Sequence, residues 1–275
     1  MAMDFLNWIV TGFFRLLFWP LGILPPLGAL TVISVVTGAI MVWIFGRVSS
    51  QERIRLVKDR IRGNLFGVRL YQHEIGVVLR LQRQIFRDTF TYMTLSVVPM
   101  LVLMIPVFLI IVQLNLYFGN RPLRPGEQAM VRVEVTDPSL VNQVPVSLKG
   151  APSFTVETPP VHMISEKEIA WRIRAVQAGQ HSLAVQIGNH QVAKNLEIGE
   201  KWGRVSTLRT TSWLDSLLYP AEERLDPRTG IRSIEIVYRP LPLSIMGLDV
   251  DWLVFFFAVS VVASFALKGV FGVQL

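Results

Sequence analysis

The chain has 275 residues, of which 51% are hydrophobic and only 17% charged, and its mean hydropathy is +0.45. A soluble domain of this length carries about 25% charged residues, so the composition excludes an ordinary soluble protein and makes lipid part of the expected solvent. Cysteine is absent, which removes disulfide frameworks, thiolate metal sites and a cysteine nucleophile. The net charge of +7 is concentrated in one segment between two apolar stretches. No RNA- or DNA-binding motif accompanies it, so it reads as membrane topology and no specific nucleic-acid partner is expected.

Residues 1–26 read as an interfacial amphipathic helix. From Asp4 to Trp19, the side chains of Trp8, Phe13, Phe14, Phe18 and Trp19 are expected in the apolar layer of a membrane surface, with Arg15 reaching toward headgroups. Pro20, Pro25 and Pro26 separate this element from the apolar run that follows, because proline removes a helix hydrogen bond and biases the residue before it away from helix. A cleaved signal peptide needs a basic leading region and a small-residue cleavage site; only Asp4 is charged before Arg15, so the segment is expected to be retained.

Residues 27–46 hold the first expected membrane span, Leu27 to Phe45. Residues 47–91 are strongly basic: Arg47, Arg53, Arg55, Lys58, Arg60, Arg62, Arg69, Arg80, Arg83 and Arg87 stand against Glu52, Asp59, Glu74 and Asp88. Apolar residues recur there at three- and four-residue intervals, at Ile54, Val57, Ile61, Leu65 and Val68 and again at Ile75, Val78, Leu79, Leu81 and Ile85. That period predicts two amphipathic helices turning near Tyr71 to Gly76, the first capped by Ser50. The basic set Arg53, Arg55, Lys58, Arg60, Arg62, Arg80, Arg83 and Arg87 fits two readings. One is a platform for anionic lipid headgroups, a ribosome or a client segment. The other is a solvated hairpin whose arginines only set orientation.

From Thr89 to Asn120 no residue is charged, and residues 92–118 are expected to form the second span, which contains Pro99 and Pro106. The third lies in residues 251–275, from about Trp252 to Leu267, lengthened by Val250 and Gly269 to Val273. The positive-inside rule places the hairpin in the cytoplasm, and therefore the amino terminus and residues 120–251 on the outer side, with Lys268 returning the carboxyl terminus inward. The expected location is a bacterial inner (plasma) membrane.

Residues 119–199 alternate apolar and polar over short segments: Met130 to Val135, Val144 to Leu148, Ser153 to Val156, Ile169 to Ala175, His181 to Ile187 and Val192 to Ile198. With Gly, Pro and Asn between them, these predict an extracytoplasmic antiparallel β-sandwich of immunoglobulin-like type. Residues 200–250 are expected to seat it on the bilayer through Trp213, Leu214, Leu217, Leu218 and Tyr219, with one more strand at Ile234 to Tyr238.

Signals for chemistry are sparse. His73, His162, His181 and His190 have no metal-ligand spacing, and the carboxylates Glu166 with Glu168, and Glu222 with Glu223 and Asp226, read as solvated loop charge. No catalytic residue, metal or cofactor is expected, and the chain does not read as an enzyme. Polar residues within the spans carry more information: Thr31, Ser34 and Thr37 on the first, Thr94 and Gln113 on the second, Ser260 and Ser264 on the third. They either line a wet groove or glue the helices together, as serine and threonine commonly do in membranes.

An interfacial helix, a span, a basic hairpin and then a span containing Pro99-Met100-Leu101-Val102-Leu103-Met104-Ile105-Pro106-Val107-Phe108 is an order that resembles the YidC/Oxa superfamily of membrane-protein insertases. The likeness covers about the first 118 residues, and the third span by position. It implies a polar groove holding client helices, with Arg80, Arg83 and Arg87 approaching a client or ribosome. The other reading is a non-enzymatic structural or accessory subunit of a fixed membrane complex, its β domain binding a second protein.

Overall fold

The computed structural model describes every residue except 1–10, 13, 15, 138–145, 189, 246 and 274–275. The chain divides into two compact units, residues 30–109 with 253–275, and residues 1–29 with 110–252. Five helices are named here: α1 (Pro26–Val48), α2 (Gln51–Leu70), α3 (Ile75–Leu114), the short α4 (Trp213–Leu218) and α5 (Trp252–Leu267). Two stretches, Pro26–Val48 and Ile75–Gly119, are long and apolar enough to cross a membrane. The α5 helix is more apolar still but has 16 residues.

In the helical unit, α2 turns its buried residues Ile54 and Val57 inward, and its chain reverses at Tyr71 to Glu74. The Tyr71 N–H donates to Gly67 O at 2.9 Å and the Glu74 N–H to Tyr71 O at 2.9 Å, which closes the turn. Gly67 lies where a Cβ would stand 2.9 Å from a Leu81 methyl, so its missing side chain lets α3 pack closely. Ser50 occupies the cap position of α2, but its side chain makes no capping bond, because its backbone (ψ 73°) is outside the extended region that aims a capping oxygen.

The α3 helix runs without interruption for 40 residues. The second arm of the hairpin and the expected second span lie on this one helix, since Asp88-Thr89-Phe90-Thr91-Tyr92 contains neither Gly nor Pro to stop it. Pro99 and Pro106 lie inside it. The helix ends in a π turn, Asn115–Gly119, whose Leu116, Tyr117 and Phe118 are buried.

The second unit holds the strands: β1 (Gln128–Val135), β2 (Val146–Lys149), β3 (Phe154–Val156), β4 (Val161–Met163), β5 (Glu168–Ala175), β6 (Gly179–Ile187), β7 (His190–Ile198), β8 (Leu208–Thr210), β9 (Ile231–Val237), β10 (Ser244–Ile245) and β11 (Leu248–Asp249). One antiparallel sheet has the order β3-β5-β1-β9-β8, with β4 also on β5; a second has the order β2-β6-β7; β10 and β11 form a separate ribbon. In the larger sheet Val131 faces Trp171 on one side and Ile236 on the other, and Val133 faces Ile169 and Ile234. These six side chains are at most 2% exposed and join Leu148, Leu183, Val185 and Leu196 of the smaller sheet in one core. Burial of each large one stabilises the fold by roughly 1.5–3 kcal/mol.

Strand β9, expected as an extra strand leading to the third span, is the hydrogen-bonded neighbour of β1. Two positions in the expected second strand, Val144 and Pro145, lie outside the described residues, as do Asp4, Trp8, Phe13 and Arg15 of the expected interfacial helix. That helix is also corrected at Phe14 and Phe18. Both are buried, with Phe18 stacked on Tyr117 at 3.8 Å and set against Phe118 and Trp202, so they pack in protein, whereas Trp19 is 83% exposed.

Candidate functional site

Three of the polar residues singled out in the spans meet in the helical unit. Ser260 Oγ donates to Ser34 O at 3.1 Å, and Ser264 Oγ lies 3.2 Å from Gly38 O and 2.7 Å from Ser260 O. Ser34 Oγ turns back to Leu30 O at 2.7 Å. Ser34, Thr37 and Ser260 are buried and Ser264 half-buried. A Cβ on Gly38 would stand 2.5 Å from Ser260 O, so the backbones of α1 and α5 touch there. The seam is small-residue packing of two apolar helices, with Ser34 and Gly38 four apart on one helix and Ser260 and Ser264 four apart on the other. Gly38 was missed from the sequence although its spacing from Ser34 was visible.

Thr94 and Gln113 make their bonds elsewhere. Thr94 is exposed and its hydroxyl donates to Phe90 O at 3.0 Å. Gln113 is buried and its amide donates to Thr11 Oγ1 at 3.3 Å, while Thr31 is half-buried. Among the basic set, Arg53, Arg55, Arg60, Arg62, Arg80, Arg83 and Arg87 are exposed, and Lys58 is half-buried with its ammonium over the Tyr92 ring.

The β unit contains polar machinery that the sequence reading missed. Lys194 is fully buried and donates to Ser206 O and Ser206 Oγ, each at 2.7 Å, and to Glu222 Oε1 at 2.5 Å. Ser206 Oγ donates to the same carboxylate, and the Asn195 N–H donates to Glu222 Oε2 at 3.1 Å. Glu222 is therefore not the solvated loop charge expected, because a buried ammonium holds it at 7% exposure. Burial pushes the Lys194 ammonium down, and Glu222 opposes the shift. The signal lay in β7, where Lys194 alternates with Val192, Leu196 and Ile198 on the core face. Arg209 donates to Ala193 O and Glu223 O, so the outer edge of β7 is covered by side chains.

Beside this network a cavity of about 360 Å³ is lined by Tyr117, Gln180, Asn195, Glu197, Arg204 and Ser206. Gln180 stands opposite Glu197 across the β6–β7 pair. Burial pushes the Glu197 carboxyl up, and Arg204, whose Nη2 donates to Pro220 O and Ala221 O at 3.0 Å, pulls it back. A second ion cluster holds the connector Arg121 to Glu127, which leads into β1: Glu127 accepts two bonds from Arg121 at 2.8 Å, one from Arg239 at 2.9 Å and one from the Arg124 N–H at 2.9 Å. The Arg121 guanidinium holds the Glu127 carboxyl down to about 2. His181 bonds Gln177 O at 2.8 Å, and no cluster of three potential metal ligands occurs among the described residues.

Comparison with protein-family models, with curated proteins and with solved structures finds no match to the chain.

Proposed function

We propose that the protein is a non-enzymatic subunit of a membrane complex: α1, α3 and α5 cross the bilayer, the basic α2–α3 hairpin faces the cytoplasm, and the outer β region, read as an immunoglobulin-like sandwich, binds a second protein. The observation that carries this reading is the closed seam of Ser34, Gly38, Ser260 and Ser264, which uses these polar groups for helix packing and leaves them no open groove to line. The location is the inner membrane of a bacterium, with residues 120–251 outside.

A second reading, the YidC/Oxa-like insertase, is favoured by α3, where a basic hairpin continues into the Pro99 to Phe108 segment and Thr94 is exposed. Site-specific photo-crosslinking from Thr94 and Thr31 in living cells separates the two. The docking subunit yields one stoichiometric adduct. A spread of short-lived nascent membrane proteins overturns it in favour of the insertase.

A further inference from the structure

The first turns of helix α3, up to the start of the charge-free stretch at Thr89, carry two apolar faces, the second of which continues into that stretch at Phe90. On the first, Val77, Val78, Leu81 and Ile85 are half-buried, and Leu81 meets Gly67 of α2. On the second, Ile75, Leu79, Phe86 and Phe90 are 75%, 60%, 77% and 72% exposed. At 100° per residue these four fall within an arc of about 60°, roughly 150° round the helix from Leu81. The face of a two-helix hairpin turned away from its partner is ordinarily polar, and leaving each large apolar side chain in water forgoes roughly 1.5–3 kcal/mol.

The bare stripe has a register. Ile75, Leu79, Gln82 and Phe86 follow steps of four, three and four, the pattern of a coiled-coil seam, which a second step of four to Phe90 shifts before Met93 and Val97. Arg80, Arg83 and Arg87 are all exposed and run along one flank of it. Lipid accounts for the stripe from Met93 onward; an unbroken helix that crosses the bilayer carries Leu79 and Ile75 about 15 and 21 Å beyond the charge-free stretch, out of lipid, with Phe86 at the headgroup level.

We propose that this face of α3 docks an amphipathic helix of a partner protein that carries apolar residues at heptad spacing and acidic side chains along the edge meeting Arg80, Arg83 and Arg87. The inference rests on the docking-subunit reading and names the site and chemistry of its partner. A second copy of this chain is the poorer occupant, since two basic hairpins repel.

The test uses full-length protein in phosphatidylcholine nanodiscs and two synthetic three-heptad peptides, one with Leu at the seam and Glu on both flanks, the other with Lys in place of Glu. The Glu peptide binds saturably and at least about tenfold more tightly than the Lys peptide; Phe86→Ser weakens it about tenfold. The triple change Arg80→Glu, Arg83→Glu, Arg87→Glu inverts the preference, a gain that misfolding does not produce. Equal binding of both peptides, no binding, or a preference untouched by the triple change overturns the proposal, as does a dimer of the protein that Phe86→Ser dissociates. If the peptides fail while Thr94 still yields one stoichiometric adduct, the docking subunit stands and this face is not its site.

Discussion

Gly38 shows how a single missing side chain sets the distance between two helices. Gly38→Leu drives a branched side chain into Ser260 O and is expected to destabilise the α1–α5 pair by about 1–3 kcal/mol, whereas Ser260→Ala removes one interhelical bond worth only about 0.6 kcal/mol; denaturant titration in mild detergent compares them. In the β unit, Glu222→Ala leaves the Lys194 ammonium buried without its carboxylate and is expected to cost about 3–5 kcal/mol. Removing both charges together, Lys194→Met with Glu222→Leu, costs far less than either single change, and the difference appears as a shift in urea midpoint followed by tryptophan fluorescence. Glu127 carries the acid sensitivity of the connector. Its folded carboxyl titrates at about 2 against an ordinary 4.5, so its contribution is complete above about pH 4.5 and is lost as pH falls toward 2. With solvent screening the loss is on the order of 1–2 kcal/mol, and in Glu127→Gln this part of the pH dependence vanishes from unfolding curves measured between pH 2 and 6.

At the level of elements, what could be read in the sequence was what periodicity carries. Strand β1 alternates along its whole length and β5, β6 and β7 over most of theirs, so most of the two sheets was visible, and the step of three and four residues made α2 and the start of α3 helical before any coordinates. Strands β4 and β8 have three residues each and stand at sheet margins, too short to show a period. The continuity of α3 was hidden because the change from basic to apolar at Asp88 marks a change of solvent and not a change of backbone. Phe14 and Phe18 were assigned to lipid because an apolar face looks the same whether a bilayer or Tyr117 and Trp202 cover it. Candidate site residues suffered the same ambiguity: Ser34 and Ser260 were visible as polar groups in apolar helices, but only coordinates show each hydroxyl closed on a carbonyl. Lacking native cysteine, the chain allows a direct check of α3. A cysteine at Phe86 reacts with a membrane-impermeant maleimide, and one at Val98, 60% exposed in the bare chain, is shielded once lipid surrounds the helix.

For the whole molecule, the basic excess and the two membrane-length helices lead to one expected sidedness, and it is measurable. In intact spheroplasts a cysteine at exposed Lys149 is labelled at once, while one at exposed Arg69 is labelled only after permeabilisation; the reverse pattern defeats the proposed topology. The length of α3 gives the basic hairpin an electrostatic setting of its own. From Ile75 to Asp88 the helix extends about 21 Å along its axis beyond the charge-free stretch, at 1.5 Å per residue. The Debye length at physiological ionic strength is about 8 Å. Where the helix stands upright, Ile75 lies more than two screening lengths beyond the charge-free stretch, Arg80 about 13 Å and Arg87 about 3 Å beyond it, so anionic lipids act on Arg87 strongly and on Arg80 only weakly. Salt dependence of recognition at the Arg80 end then reports mainly the charge of the bound protein, and a change in lipid composition is felt first at Arg87.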